Sequence, residues 1–434
     1  MSFLIKPAII SAVIISAALL CGFSGYHETV LPSGARVVTI PDPASRTSSV
    51  NIWVGAGSAD ETKGEEGISH FLEHLFFRGV EGKSGSEFKS AIEAIGGSAN
   101  AETSKDYTRY YINVPSENTL RALELLISTM RSASFSKDEI DVERKVVLEE
   151  YRINEAAPMT EAYNKLFSLA YGGHPYSKPV IGLEANIKRF TRNDVLSYRE
   201  KFYSPSNLVF VVSGRFSEKD VVSLVSNAFS SPGPQFSGKS GAAAFTPLAK
   251  TASADLKRSG TPMVMMGYYG PPAADEKRLC AADVLCFLLG KGEGSVFSGI
   301  RSGSDGKIKT LSVDFQTMRD PGLIILSASG DVGKAELEKT ISDAVKKVSG
   351  GGFSDSELAR AKRLLSRTYL YSLETNDGKA SCIGLYSVLG RTAFAAEYPD
   401  LIRAVSREDV IKMAKSISGD PAVLVTLGKE GAKK

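Results

Sequence analysis

Residues 70–74 read His70-Phe71-Leu72-Glu73-His74, in a chain of 434 residues with only four histidines. On an α-helix successive residues turn by about 100°, so positions i, i+3 and i+4 share a face. That face would carry two imidazoles and one carboxylate. Neutral imidazole nitrogens at this spacing can converge on one cation, and Zn²⁺ takes them at about 2.0–2.1 Å. A catalytic zinc uses three protein ligands and leaves one place for water, so a third ligand has to come from elsewhere. Glu73 would then take a proton from that water and return it to a leaving amine.

The third ligand is sought in Glu143-Arg144-Lys145-Val146-Val147-Leu148-Glu149-Glu150. Glu143 and Glu150 stand about two helical turns apart, on a face shared with Val146 and Val147. Two carboxylates on an apolar face need partners. Glu150 is assigned as the third metal ligand and Glu143 as a nearby support for the site. Pairing of both with Arg or Lys is the competing account. Glu149, rotated by about 100°, reads as surface.

Several elements must position these residues. Strands are expected over 36–40 and 49–54, paired with each other. A helix over 67–78 carries the histidines and stops at Gly79. A second helix, 86–95, closes at Gly96-Gly97. Residues 98–103 and 107–114 read as a hairpin around Ser104-Lys105-Asp106, and 117–132 and 136–154 as long helices. Strands and helices mix without regular alternation, so the fold class is α+β: two related sandwich halves, each a mixed sheet packed with helices.

The relation between halves shows in a repeat. Thr191-Arg192-Asn193-Asp194-Val195 opens a helix and Leu208 to Val212 follows as a strand. Ser406-Arg407-Glu408-Asp409-Val410 and Val423 to Leu427 repeat this at one offset, 215 residues (406 − 191 and 423 − 208). Ser and Thr cap such helices. The Ser-, Gly- and Pro-rich stretch 231–261 reads as a linker, separating a domain of residues 26–230 from a related one of 262–434.

Composition narrows the function. The net charge is +3, and no basic block or aromatic–basic stripe points to nucleic acid. Lys6, the apolar run Pro7 to Cys21 and the small residues Gly22, Ser24 and Gly25 read as a secretory signal peptide over 1–25, with an uncleaved anchor as the alternative. The chain is thus expected in the periplasm or secreted, touching a membrane only through this segment. Cys280, Cys286 and Cys382 are an odd remainder and read as buried thiols rather than a disulfide framework.

His-x-x-Glu-His is the inverted zinc motif, and its surroundings resemble the pitrilysin/insulinase family, especially half-length members akin to mitochondrial processing peptidase. The matching stretches are 55–61, 67–79, Gly96-Gly97-Ser98-Ala99-Asn100-Ala101-Glu102-Thr103, Glu143 to Glu150, and His174 to Gly182. The resemblance implies one Zn²⁺ per chain held by His70, His74 and Glu150, with Glu73 as general base. It also implies that substrate adds as an extended strand to a sheet edge over Ala99, Asn100, Ala101, Glu102 and Thr103. Asn100 could bond near the scissile peptide or simply end a strand. His174, in a loop, is expected to be structural.

One departure stands out. Active relatives carry an Arg followed by a Tyr in a C-terminal half, which hold substrate and the oxyanion. Arg301 keeps the first place, but the stretch after it, 306–313, has no Tyr. Losing an oxyanion donor lowers rates by roughly 10²–10³. The expectation is therefore a zinc endopeptidase subunit in a two-chain chamber, its homologous partner supplying the Arg–Tyr pair. A homodimer relying on Arg301 is the alternative partner arrangement. A catalytically inactive peptide-binding or scaffold homologue is the alternative function.

Overall fold

The computed structural model describes residues 13–17, 25–80, 83–132, 135–230 and 245–428. Lys6, Cys21, the expected cleavage site near Ser24 and residues 231–244 of the expected linker lie outside them.

Two sheets form the framework. The first runs β1 (Val13–Ala17), β2 (Tyr26–Val30), β3 (Arg36–Pro41), β9 (Leu208–Gly214), β4 (Thr47–Val54), β8 (Thr108–Pro115), β7 (Ser98–Thr103). The second runs β10 (Ala252–Leu256), β14 (Val423–Leu427), β11 (Met263–Tyr269), β13 (Leu323–Gly330), β12 (Ile308–Phe315). A two-residue hairpin, β5 (Gly79–Val80) and β6 (Lys83–Ser84), stands apart. Among the described residues, only β3–β9 and β10–β14 pair in parallel.

The expected direct pairing of 36–40 with 49–54 is corrected. β9 lies between them, parallel to β3 and antiparallel to β4. Every residue of β9 is buried, and an apolar strand covered on both faces belongs inside a sheet.

The helices of the first half are α1 (Ile68–Phe76), α2 (Gly85–Ala94), α3 (Thr119–Ser132), α4 (Lys137–Ala156), α5 (Pro158–Tyr171), α6 (Glu184–Ile187), α7 (Arg192–Phe202) and α8 (Glu218–Ala228). Those of the second are α9 (Glu276–Gly290), α10 (Val296–Ser302), α11 (Lys334–Ser349), α12 (Asp355–Ser372), α13 (Asn376–Leu389), α14 (Thr392–Ala404) and α15 (Arg407–Ser416). Thr191 with Asp194 and Ser406 with Asp409 form reciprocal caps at the starts of α7 and α15, the arrangement such residues favour.

The offset of 215 extends well beyond that pair. β8 recurs as β13 (323 − 108) and β9 as β14 (423 − 208). β10 takes the place of β3, beside the equivalent partner. The range expected as linker, 231–261, therefore contains a strand. Ala252-Ser253-Ala254-Asp255-Leu256 alternates half-buried and exposed positions at a sheet edge, and small side chains there give little apolar period to read.

Alternation decides the cores. In β4, Val50, Ile52 and Val54 join α1, α3 and α7 in one core. Trp53 faces the other way and joins α9, α13 and the second half's helices. In β11, Met265 packs on the opposite face from Val264, Met266 and Tyr268, against Leu166 and Phe167 of α5. Each sheet is thus covered on one face by a helix of the other half: α13 lies on β4 and β9, and α5 on β14.

Candidate metal centre

α1 forms because Ile68, Phe71, Leu72, Leu75 and Phe76 bury one stripe in the first core. The opposite face leaves His70, Glu73 and His74 partly exposed in a cleft. The helix start is pinned. Gly67 has φ +103°, and a Cβ there would stand 2.7 Å from the Ile181 carbonyl oxygen, so only glycine fits. The Glu61 carboxyl accepts the Gly67 and Ser69 amides at 2.8 and 2.9 Å, satisfying two free N–H groups at the helix N-terminus, while burial raises it to about 8. α4 starts at a reciprocal cap between Ser136 and Glu139, and it packs against α1.

That packing brings the three expected ligands together. Glu150 Oε2 lies 3.3 Å from His74 Nε2 and 3.7 Å from His70 Nε2. Among the described residues, these three form the one cluster able to hold a metal, with donor atoms within 4.8 Å of one another. Donors about 2 Å from a common tetrahedral centre stand roughly 3.3 Å apart, so the donor set and spacing fit zinc.

Glu143 is buried. Its Oε1 lies 2.9 Å from His74 Nδ1 and its Oε2 2.6 Å from Arg78 Nε. A carboxylate so placed accepts a hydrogen bond from Nδ1–H and leaves Nε2 turned toward the metal position. Burial disfavours a charged His74, but hydrogen bonds to Glu143 and Glu150 outweigh it and raise the imidazole to about 9. Burial first, and then His74, lowers His70 to about 4. Glu150 is held below the usual carboxylate range by its bond to His74, against the effect of burial.

Glu73 accepts a hydrogen bond from Thr103 Oγ1 at 2.8 Å, and burial raises its carboxyl above the ordinary value. Thr103 ends β7, which occupies the edge of the first sheet and pairs only with β8. Ala101, Glu102 and Thr103 line a cleft of about 570 Å³ together with His70, Glu73 and Glu150. Ala99 and Asn100 lie further along the edge, exposed. Asn100 Oδ1 accepts the Ala101 amide at 2.9 Å. Glu102 also lies 3.7 Å from Arg109.

Arg301 is not brought to this cleft. It lies exposed in the last turn of α10, which packs on α9 and β12. His174 caps a short 3₁₀ turn, accepting the Tyr176 amide at 3.2 Å. Val146, expected on an apolar face, is exposed, whereas Val147 is buried. Arg78 and Lys105 were not singled out by the sequence. Arg78 follows the helix end, and Lys105 sits in a turn that reads as solvent-facing.

Among the described residues, the second half carries no comparable cluster. Counting 215 from His70, Glu73, His74, Glu143 and Glu150 leads to Leu285, Leu288, Leu289, Leu358 and Leu365 (285 − 70 through 365 − 150). All five leucines are buried. An apolar plug fills the position that the candidate metal ligands take in the first half.

Comparison with known proteins gives matches to two family models and to whole relatives. Residues 36–184 match the family model described as insulinase (peptidase family M16), and residues 189–365 match the model described as peptidase M16 inactive domain. A zinc protease of Mycobacterium leprae is 30% identical over 83% of this chain and 82% of its own length. The zinc protease PqqE of Helicobacter pylori is 29% identical over 91% and 90%. The crystal structure of a protease from Helicobacter pylori superposes with a TM-score of 0.85 at 26% identity, covering 93% of this chain and 99% of that one.

Proposed function

Because the chain belongs to the insulinase (M16) peptidase family, we propose that it is a zinc metalloendopeptidase acting on peptides or unfolded polypeptide segments. One observation carries this reading: the donors of His70, His74 and Glu150 converge while Glu73 stands beside them, tied to the end of a free sheet edge. Zinc in that donor set supplies Lewis acidity, polarising a carbonyl and bringing a water pKa towards about 7. The unpaired edge of β7 binds the backbone of an extended chain, which reads peptide rather than side chain. Glu73, its carboxyl raised by burial, takes a proton from the attacking water and passes it to the leaving nitrogen. Thr103 orients Glu73 and, as the last residue of β7, fixes its height against the substrate strand.

Glu73→Gln tests the assignment. The variant keeps bound zinc, measured by elemental analysis, and loses peptide turnover by several orders of magnitude. Turnover at the parent rate removes Glu73 from the reaction.

We also propose that the chain is exported and works as the zinc subunit of a two-chain chamber. Support comes from the missing Tyr and from Arg301 lying outside the cleft. The purified chain alone is then a weak peptidase, with turnover rising on addition of a homologous chain that carries the Arg–Tyr pair. Full activity from a monomer in sedimentation analysis contradicts the chamber.

A further inference from the structure

The metal cleft contains a charged group that the proposed reaction does not use. Lys105 follows β7 by two residues, yet it is only 5% exposed, and it lines the same cleft as Glu73 and Glu150. Its Nζ donates to the Lys178 carbonyl oxygen at 2.7 Å and lies 5.0 Å from the centre of the Phe167 ring. An ammonium has three N–H donors and no acceptor. Among the described residues no carboxylate forms an ion pair with it.

The two acidic groups whose field reaches Lys105 are engaged elsewhere. Asp106 accepts from Tyr176 and from the Arg319 amide. Glu61 accepts the amides at the start of α1. Burial lowers the ammonium to about 8. A buried cation with no carboxylate in direct contact is unfavourable, and a carboxylate arriving from outside would lower that penalty.

We propose that Lys105 is a specificity residue whose ammonium receives a carboxylate of the bound peptide. The ligand lies in the cleft past Thr103, between Lys105 and the α5 side chains Tyr163 and Asn164. This inference rests on the peptidase reading. Two sources offer the same chemistry: an Asp or Glu side chain, or the free C-terminus of the peptide. A side chain would set sequence preference, whereas a terminus would direct cutting to chain ends.

Binding to zinc-loaded Glu73→Gln protein separates these cases without requiring turnover. The probe is an otherwise uncharged, fluorescently labelled peptide in which one Glu is moved along the sequence. Each member has a Gln twin, and each is made with an acid and with an amide C-terminus. Fluorescence anisotropy is expected to show one acid form bound about tenfold tighter than its neutral twin. Adding Lys105→Met collapses that ratio towards one, and adding Lys105→Arg retains most of it. Equal affinity for all twins, or no binding of any, overturns the proposal. So does a Lys105→Met change that weakens every twin by the same factor, which marks a mere tie to the Lys178 loop. Discrimination in binding without cleavage by the Glu73 protein sinks the peptidase reading and leaves Lys105 standing. Cleavage of all twins alike does the reverse.

Discussion

His74 stands between two carboxylates, and this governs how a cation enters. Glu143 and Glu150 keep a proton on the metal-free imidazole up to about 9, so zinc would have to displace that proton at neutral pH, and its affinity is expected to weaken as pH falls. Arg78 completes the chain of contacts by holding the second oxygen of Glu143. Replacing it as Arg78→Gln leaves α1 intact but frees Glu143 to turn away from His74. Zinc affinity is expected to fall about 10–100-fold, measured by chelator competition. Unchanged affinity would show that Glu143 needs no such clamp. The His70, Glu73 and His74 set was readable because helix geometry alone gathers i, i+3 and i+4, and Glu150 because it stands two turns from Glu143 on one helix. The Thr103–Glu73 bond and the burial of Lys105 were not, since both depend on how β7 and α5 meet α1 in three dimensions.

Among the elements, α9 stands where the 215-residue offset puts the counterpart of α1, with leucines at the positions of His70, Glu73 and His74. It is buried along most of its length, yet it carries Asp283, which accepts the Tyr398 hydroxyl at 2.5 Å. Burial raises this carboxyl to about 7, against the opposing hydrogen bond. The folded state thus favours the protonated form. Its contribution is fully present below the unfolded pKa near 3.8 and is lost as pH rises through 7, a loss on the order of a few kcal/mol. The advantage of Asp283→Asn over the parent should therefore be smallest near about pH 4, grow between there and about 7, and be largest in urea unfolding at pH 9. Equal stability at pH 9 would contradict the assignment. The capped helices were legible in the sequence because Thr191, Asp194, Ser406 and Asp409 act locally. The place of β9 was not, because strand order depends on pairing across long stretches of chain. β10 escaped notice for a different reason, its short edge of Ala and Ser.

At the scale of the molecule, a buried ionic cluster joins the halves. Arg319, in the loop between β12 and β13, pairs with Asp60 at 3.2 Å and with Asp106 at 3.3 Å. Tyr176 donates to Asp106 and receives the Asp320 amide. Arg319→Met strands two buried carboxylates, at a cost of about 3–5 kcal/mol. The loss is larger at pH 8 than at pH 5, where the stranded groups can protonate. Denaturant unfolding at both pH values measures it, and a pH-independent loss would argue against the ionic account. The repeat of 215 made the relatedness of the halves legible from two short matches. The cluster itself left no mark in the sequence, since its members are scattered from Asp60 to Asp320.

The placement of α5 and α13 on each other's sheets has a further outcome. Either half made separately would lack the lid of one whole sheet face and present Trp53, Val209 and Val211, or Met265, Ile325 and Val425, to water. A protease nick between residues 230 and 245 would therefore leave two fragments that remain clasped, because each wears a piece of the other. Mutual borrowing of this kind binds the two related halves into one unit, and neither can be discarded alone.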